Sequence, residues 1–185
     1  LFEFLPVAMS IAREGITVDG NPAFVRLFGY DSIEELRGTS LLRCLAPECH
    51  AVTVDRMRRR HAGKPVETTY ESVGLRKDGS TFPLRQTVTL AQTDEGSLTL
   101  AALEDLTNLR RSEEQLREAR ALQACLVASS PIAIVAYSTD GQCVAANPAA
   151  GSIMGTSVET LLSTNFRKTP SWETSGLLAF ADTVL

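Results

Sequence analysis

NPAFVRLFGYDSIEELRG, residues 21–38, decides how the rest of the chain is read, and it recurs in thinner form as NPAAGSIMGTSVETLLST from residue 147. The side-chain oxygen of Asn21 can accept from the free N–H groups of a first helical turn, and Pro22 suits the N1 position, where a missing N–H costs nothing. A helix is therefore expected to start at Pro22. Gly29 suits the left-handed position past a helix end, and Ser32 with Glu35 three residues later forms a capping box for a second short helix.

The recurrence extends outward from this stretch. Gly15 and Gly141, Val18 and Val144, Asn21 and Asn147, Pro22 and Pro148, Ala23 and Ala149, Gly29 and Gly155, and Leu36 and Leu162 pair at a single offset, and Pro6 pairs with Pro131 after a slip of one residue. Solenoid repeats have shorter periods, so two tandem domains are expected. The second copy begins near Val127 and has room only for its first half.

Upstream, Leu1 to Leu5 reads as the end of a helix. Val7 to Ala12 and Ile16 to Val18 read as strands joined around Glu14-Gly15, matched in the copy by Ile132 to Tyr137 and Gln142 to Ala146 around Asp140-Gly141. Downstream, Pro47 to His61 reads as a third helix that stops before Gly63-Lys64-Pro65. Val66 to Leu75 is strand-like, and Asp78-Gly79 is a turn signal. Phe82, Leu84, Gln86, Val88 and Leu90 then alternate with polar residues, the period of a strand with one buried face. Leu98 to Leu103 gives a last strand, so an α+β domain with an antiparallel sheet is expected.

After Thr107 the sequence becomes NLRRSEEQLREARALQACL, a continuous helix with Arg110–Glu114 and Glu113–Arg117 as i,i+4 pairs. Leu109, Leu116, Ala119, Leu122 and Leu126 keep rough heptad spacing over fewer than three heptads. They suit either a coiled coil or a single helix packed on its own sheet.

Composition removes several function classes. The 185 residues are 44% hydrophobic and 22% charged, ordinary for a globular protein, and a net charge of −4 offers no electrostatic footprint for nucleic acid. The basic run Arg56 to His61 reads as a solvated helix face. No apolar run approaches the ~18 residues of a membrane span, and no signal peptide is visible. The chain starts at Leu1 and not at Met, which suggests a fragment of a longer protein. Cys44, Cys49, Cys125 and Cys143 lack any CxxC or framework spacing and read as reduced, mostly buried thiols of a cytoplasmic protein. Cys44, Cys49, His50 and His61 are zinc-type residues, but their spacing matches no common finger.

In order and spacing, NPAF at Asn21, FGYDSIEEL at Phe28 with Gly38 following, RKDGSTFPL at Arg76 and EDLT at Glu104 resemble the PAS sensor family, in a tandem arrangement. The resemblance implies a five-stranded antiparallel sheet flanked by short helices around a small cavity. It divides the chain into a first PAS domain (1–107), a connecting signalling helix (108–126) and the N-terminal part of a second, incomplete PAS domain (127–185). The implied function is a non-catalytic sensory and relay region of a bacterial-type signalling protein, such as a sensor histidine kinase in a two-component system or a cyclic-dinucleotide enzyme. Implied partners are a second copy, joined through the connecting helix or the PAS faces, and a downstream output domain in the same parent chain. Asp105 and Thr107 are the implied relay residues at the sheet–helix junction, bonding backbone or each other; the plainer alternative makes Thr107 an N-cap.

Family subclasses bear on the cofactor. Light-oxygen-voltage flavin domains carry a reactive Cys in a Gly-x-Asn-Cys-Arg-Phe-Leu-Gln block after the second short helix. Here the block is GTSLLRCL, with Leu41 at the cysteine and Ser40 at the flavin-binding Asn, so flavin photochemistry is not expected. Haem sensors place a ligand after the Gly-Lys-Pro turn, where this chain has Val66; His50 and His61 keep haem as a lesser alternative. A small organic ligand remains, with Phe24, Phe28, Met57, Val73 and Leu84 as an apolar wall and Gln86 and Tyr70 as polar handles. Alternatively these side chains close on one another with no cavity, and the domain only dimerises. No Gly-rich phosphate loop, His-Glu-x-x-His pair or nucleophile elbow supports an enzyme, and neither Cys44 nor Cys49 has an activating context.

Overall fold

In a computed structural model of the chain, which describes residues 2–94 and 96–169, Asn21 performs its expected capping role. Its Oδ1 accepts from the Phe24 N–H at 3.0 Å and opens helix α1, Pro22–Leu27. Gly29 follows with φ 71°, in the left-handed region. The expected capping box is absent. The Ser32 side chain makes no cap bond, Glu35 accepts instead from the Asp31 N–H at 2.9 Å, and the segment is a single 3-10 turn, Ile33–Glu35. The Ser32 hydroxyl is taken up by the neighbouring Glu34 carboxylate instead of the helix start.

The chain divides into two units, Leu1–Ser112 and Glu113–Leu185. The first opens with a 3-10 turn, Phe2–Phe4, where the end of a helix was expected. Strands β1 (Ala8–Arg13) and β2 (Ile16–Gly20) form a hairpin whose turn residues Glu14 and Gly15 both have positive φ, 51° and 82°. After α1 the backbone runs through 3-10 turns at Ile33–Glu35, Leu41–Cys44 and Pro47–Cys49 into α2, His50–His61. The turn at Leu41–Cys44, opened by the Ser40 hydroxyl accepting from the Leu42 N–H, has no counterpart in the sequence expectations. Strands β3 (Thr69–Leu75), β4 (Thr81–Thr93) and β5 (Gly96–Asp105) complete an antiparallel sheet of order β2-β1-β5-β4-β3. Alternate residues of β4, namely Phe82, Leu84, Gln86 and Val88, are buried under α1 and the 3-10 turns, where Phe24, Phe28, Leu36 and Leu45 meet them.

Helix α3 spans Thr107–Ser129, and the division between the units falls inside it. Arg110 pairs with Glu71 at 2.6 Å instead of Glu114, because its first-turn position brings it against β3; Arg117 pairs with Glu114 at i,i+3. Leu109, Leu116, Leu122 and Leu126 are all exposed.

The second unit repeats the front of the first in miniature: β6 (Val135–Tyr137) and β7 (Cys143–Ala146) form a hairpin, followed by α4 (Pro148–Met154), α5 (Val158–Ser163) and a 3-10 turn at Phe166–Lys168. Asn147 Oδ1 accepts from Ala150 N–H and opens α4 as Asn21 opens α1. The expected second copy beyond residue 169 lies outside the described residues.

Candidate functional site

The inner face of the first sheet does not close completely on the helices. A cavity of about 50 Å³ lies between them, on a scale where one water takes about 10–15 Å³. Phe24 of α1 and Phe28 just past its end wall it on one side, Leu84, Gln86 and Val88 of β4 on another, and Thr53, Met57 and Arg60 of α2 close a third. Thr99, Ala101 and Leu103 of β5 form its floor with Ser10 and Ala12 of β1, and Thr17, Tyr70, Leu41 and Cys44, with Leu45 just past the 3-10 turn, complete it.

Six of the seven side chains proposed as pocket residues, Phe24, Phe28, Met57, Tyr70, Leu84 and Gln86, meet at this cavity. Val73 does not. It stands opposite Pro83, whereas Tyr70, Ser72 and Gly74 stand opposite Gln86, Leu84 and Phe82 on the inner face. Strand side chains alternate, so Tyr70 and Val73, three residues apart, are on opposite faces. Ser72 shares the inner face with Tyr70 without lining the cavity, and its Oγ accepts from Gln86 Nε2 at 2.6 Å, which fixes that amide from behind. Its parity with Tyr70 is the signal that marks it in the sequence. Arg60, a turn beyond Met57 at i+3 on α2, is signalled in the same way by helical spacing. Thr53 is buried, its hydroxyl donating to the Cys49 carbonyl at 2.8 Å.

The cavity wall is chemically quiet. Burial pushes the Cys44 thiol up to about 12, so it is a neutral, poorly nucleophilic group. Cys143 is also buried, but Cys49 is half-buried and Cys125 exposed, so half of the thiols depart from the expected burial. His50 Nε2 is shared between the Leu42 and Leu45 carbonyls, 3.0 Å from each, and His61 Nδ1 donates to the Met57 carbonyl at 2.9 Å. Neither histidine lines the cavity, and Leu41 does. Among the described residues no group of three or more His, Cys, Asp or Glu side chains could hold a metal ion.

A second cluster sits where β5 becomes α3. Asp105 Oδ1 accepts from the Thr107 N–H at 2.8 Å, and its Oδ2 takes a 2.7 Å ion pair from Arg76. Partial burial pushes the Asp105 carboxyl up, but hydrogen bonds from the Thr107 side chain and backbone, with Arg76, hold it below the usual carboxylate value. Asp105 and Thr107 thus bond each other, and the helix start is satisfied by Asp105, not by Thr107 as a cap. Sequence reasoning missed Arg76. Its guanidinium also donates to the Leu27 carbonyl and lies 3.9 Å from the Phe82 ring centre. Phe82 in turn packs on Phe28 at 5.6 Å between ring centres. Aromatic and cationic contacts therefore run unbroken from the cavity wall to the first residue of α3.

Beside this junction, Arg110 of α3 holds Glu71 of β3, and Arg85 bridges Glu71 at 3.3 Å and Glu104 at 3.2 Å. The Arg110 hydrogen bond, helped by Arg85, holds the exposed Glu71 carboxyl below its ordinary value.

A family profile described as the PAS domain matches residues 6–108. No curated protein sequence matches. Among solved structures, the PAS domain of a Desulfitobacterium hafniense protein is 21% identical over 56% of this chain and 96% of that one, with a TM-score of 0.50. The PAS domain of a Colwellia psychrerythraea protein is 20% identical over 58% of this chain and 92% of that one, also at 0.50. These likenesses carry the fold. A light-oxygen-voltage flavin domain is 22% identical over 62% of this chain and 88% of that one, with a TM-score of 0.46. By its profile, its sheet order and its strand-to-helix junction, the chain belongs to the PAS domain family of sensory and signalling modules.

Proposed function

We propose that residues 1–107 sense a small organic ligand in the cavity, and that helix residues 108–126 pass the change to an output domain of the same parent protein. The region itself is non-catalytic, and residues 127–185 supply the front of a second PAS copy. The observation that carries this reading is the run of contacts from Phe28 through Phe82 and Arg76 to Asp105 and Thr107. A ligand that displaces Phe28 would alter the stacking of Phe82 on Arg76, and with it the ion pair that anchors α3. The cavity residues do not suit the large cofactors of the family: about 50 Å³ is far below the volume of a flavin or haem, Leu41 replaces the flavin cysteine, and both histidines are tied to carbonyls.

We place the protein in the cytoplasm as part of a homodimer, in a parent such as a histidine kinase. Among the described residues no helix is long and apolar enough to cross a membrane. The four exposed leucines of α3 favour a second use of the same region, dimerisation without any ligand. Insertions in the full-length parent test the relay. One residue after Glu113 turns the downstream helix by about 100° and disturbs output, whereas seven residues restore the phase and the output. Equal output from both insertions would overturn the relay and leave dimerisation.

A further inference from the structure

We infer that the cavity of the first unit takes a short-chain monocarboxylate, with its hydrocarbon end against Phe24, Phe28 and Leu84 and its carboxylate at Arg60. This rests on the proposal above that the cavity is a ligand site, and it adds the chemical class.

Charge points to the headgroup. Among the described residues Arg60 is the one charged residue that lines the cavity, and it is half-buried there. Its guanidinium donates to the Glu67 backbone carbonyl at 3.1 Å and pairs with no carboxylate among the described residues. The Glu67 carboxylate faces Arg56 instead, at 3.8 Å. Arg56 lies over the Tyr70 ring at 4.0 Å, and Tyr70 also lines the cavity, so two cations flank this side and the neighbouring acid lies with the outer one. A guanidinium with N–H groups to spare, partly out of water, favours a carboxylate, which accepts two parallel N–H bonds.

Size and polarity fix the remainder. A cavity of about 50 Å³ has room for about three to five atoms the size of water. The side chains away from Arg60 are aliphatic or aromatic, relieved by hydroxyls and the Gln86 amide, so a second charge at the far end would be buried without a partner. A tail of about three carbons fills that space while the carboxylate stands at Arg60 on the cavity's edge, so a short monocarboxylate matches both requirements.

Isothermal titration of the 185-residue protein with butyrate, 1-butanol and butylamine separates headgroup from tail. Butyrate binds at least tenfold more tightly than 1-butanol, and butylamine more weakly than either. Arg60→Gln weakens butyrate about tenfold or more without changing 1-butanol, as loss of a charged hydrogen bond requires. Arg59→Gln, one residue away but outside the lining, leaves butyrate within twofold. Ala101→Leu, which fills the cavity floor, abolishes butyrate binding. Equal affinity for 1-butanol and butyrate with no effect of Arg60→Gln would overturn the carboxylate and keep the cavity as a ligand site. Butyrate binding that survives Ala101→Leu would overturn the inference by placing the anion elsewhere. Silence of all three probes would overturn the inference and the ligand-site proposal together.

Discussion

Each unit holds one buried asparagine amide that ties a helix start to the backbone at the start of its hairpin. Asn21 is fully buried, and besides capping α1 its Oδ1 accepts from Met9 N–H at 3.0 Å while its Nδ2 donates to the Val7 carbonyl at 2.8 Å. Asn147 repeats the pattern with Ala150 and Ile134 N–H groups and the Ile132 carbonyl. Each amide locks a helix start to the strand two elements before it, which explains why Asn-Pro survives in both copies while Phe24 becomes Ala150. Asn21→Ala removes a cap and orphans two partly buried backbone groups, the Met9 N–H and the Val7 carbonyl. It should lower unfolding free energy by about 3 kcal/mol, read from urea denaturation. A loss under about 1 kcal/mol would show that water replaces the amide. The capping half of this role was legible in the sequence; the bonds to residues 7 and 9 were not, because they depend on where β1 lies in space. Asp105 makes a different residue-scale prediction. Its folded carboxyl sits below the unfolded value near 3.9, so it stabilises the fold fully above that value and progressively less as pH falls through the lowered folded one. Asp105→Asn keeps an acceptor for the Thr107 N–H but loses the charge that Arg76 meets. Its urea midpoint should lie below wild type at pH 7, and the gap should shrink on titration towards pH 2. A gap that is constant with pH would remove Asp105 ionisation from the account.

At the scale of elements, periodicity carried most of what could be read and also fixed the main error. The alternation in β4 placed Phe82, Leu84 and Gln86 inside without knowledge of any partner strand. In β3 the apolar character of Val73 competed with that periodicity, and the pairing Tyr70–Gln86 shows that parity wins over hydrophobicity. The 3-10 segment at Leu41–Cys44 was illegible for another reason: it is held by tertiary bonds, such as Leu41 N–H to the Gly15 carbonyl at 2.9 Å, and carries no period of its own. The ion pairs of α3 follow the same rule. Spacing along the helix suggested Arg110–Glu114, but a carboxylate on the adjacent strand is held at 2.6 Å. Glu71→Gln and Arg110→Gln should each leave the global urea midpoint almost unchanged, since both groups are exposed and water screens the pair. Their effect should be local, with amide exchange in the first turn of α3 several-fold faster and β4 unchanged. The double reversal Glu71→Arg with Arg110→Glu should recover only part of the protection, because the new guanidinium also faces Arg85, which Glu71 holds at 3.3 Å. Unaltered exchange in Glu71→Gln would mean that Asp105 alone anchors the helix.

Across the whole molecule, the internal repeat made two units legible, but it gave no measure of how well each is consolidated. The first buries Phe24, Phe28, Leu36, Leu45, Phe82 and Leu84 between five strands and the helical segments. Among the described residues of the second, the buried apolar side chains are Cys143, Ala150, Leu161 and Phe166 beside a two-stranded sheet. Substitution accounts for the contrast: the ring of Phe24 becomes the methyl of Ala150, and that of Phe28 becomes Met154, which is 53% exposed. Phe166 compensates in part. Its N–H donates to the Gly141 carbonyl at 2.8 Å, as Leu41 does to Gly15, and its ring meets Tyr137 edge-on at 5.2 Å. An aromatic ring thus occupies the place that Leu41 takes at the cavity of the first unit. Apolar burial contributes about 25 cal/mol per Å², and each large side chain lost from a core removes about 1.5–3 kcal/mol. The second unit should therefore open first. In native-state hydrogen exchange with rising urea, amides of β6, β7 and α4 should lose protection while those of β4 and β5 still report the global unfolding energy. Phe166→Ala should lower the protection of β6 and β7 further and leave β4 and β5 unchanged. Simultaneous loss of protection in β4, β5, β6 and β7 would show instead that the two copies unfold as one cooperative body, and that helix α3 couples their stabilities as well as their sequence.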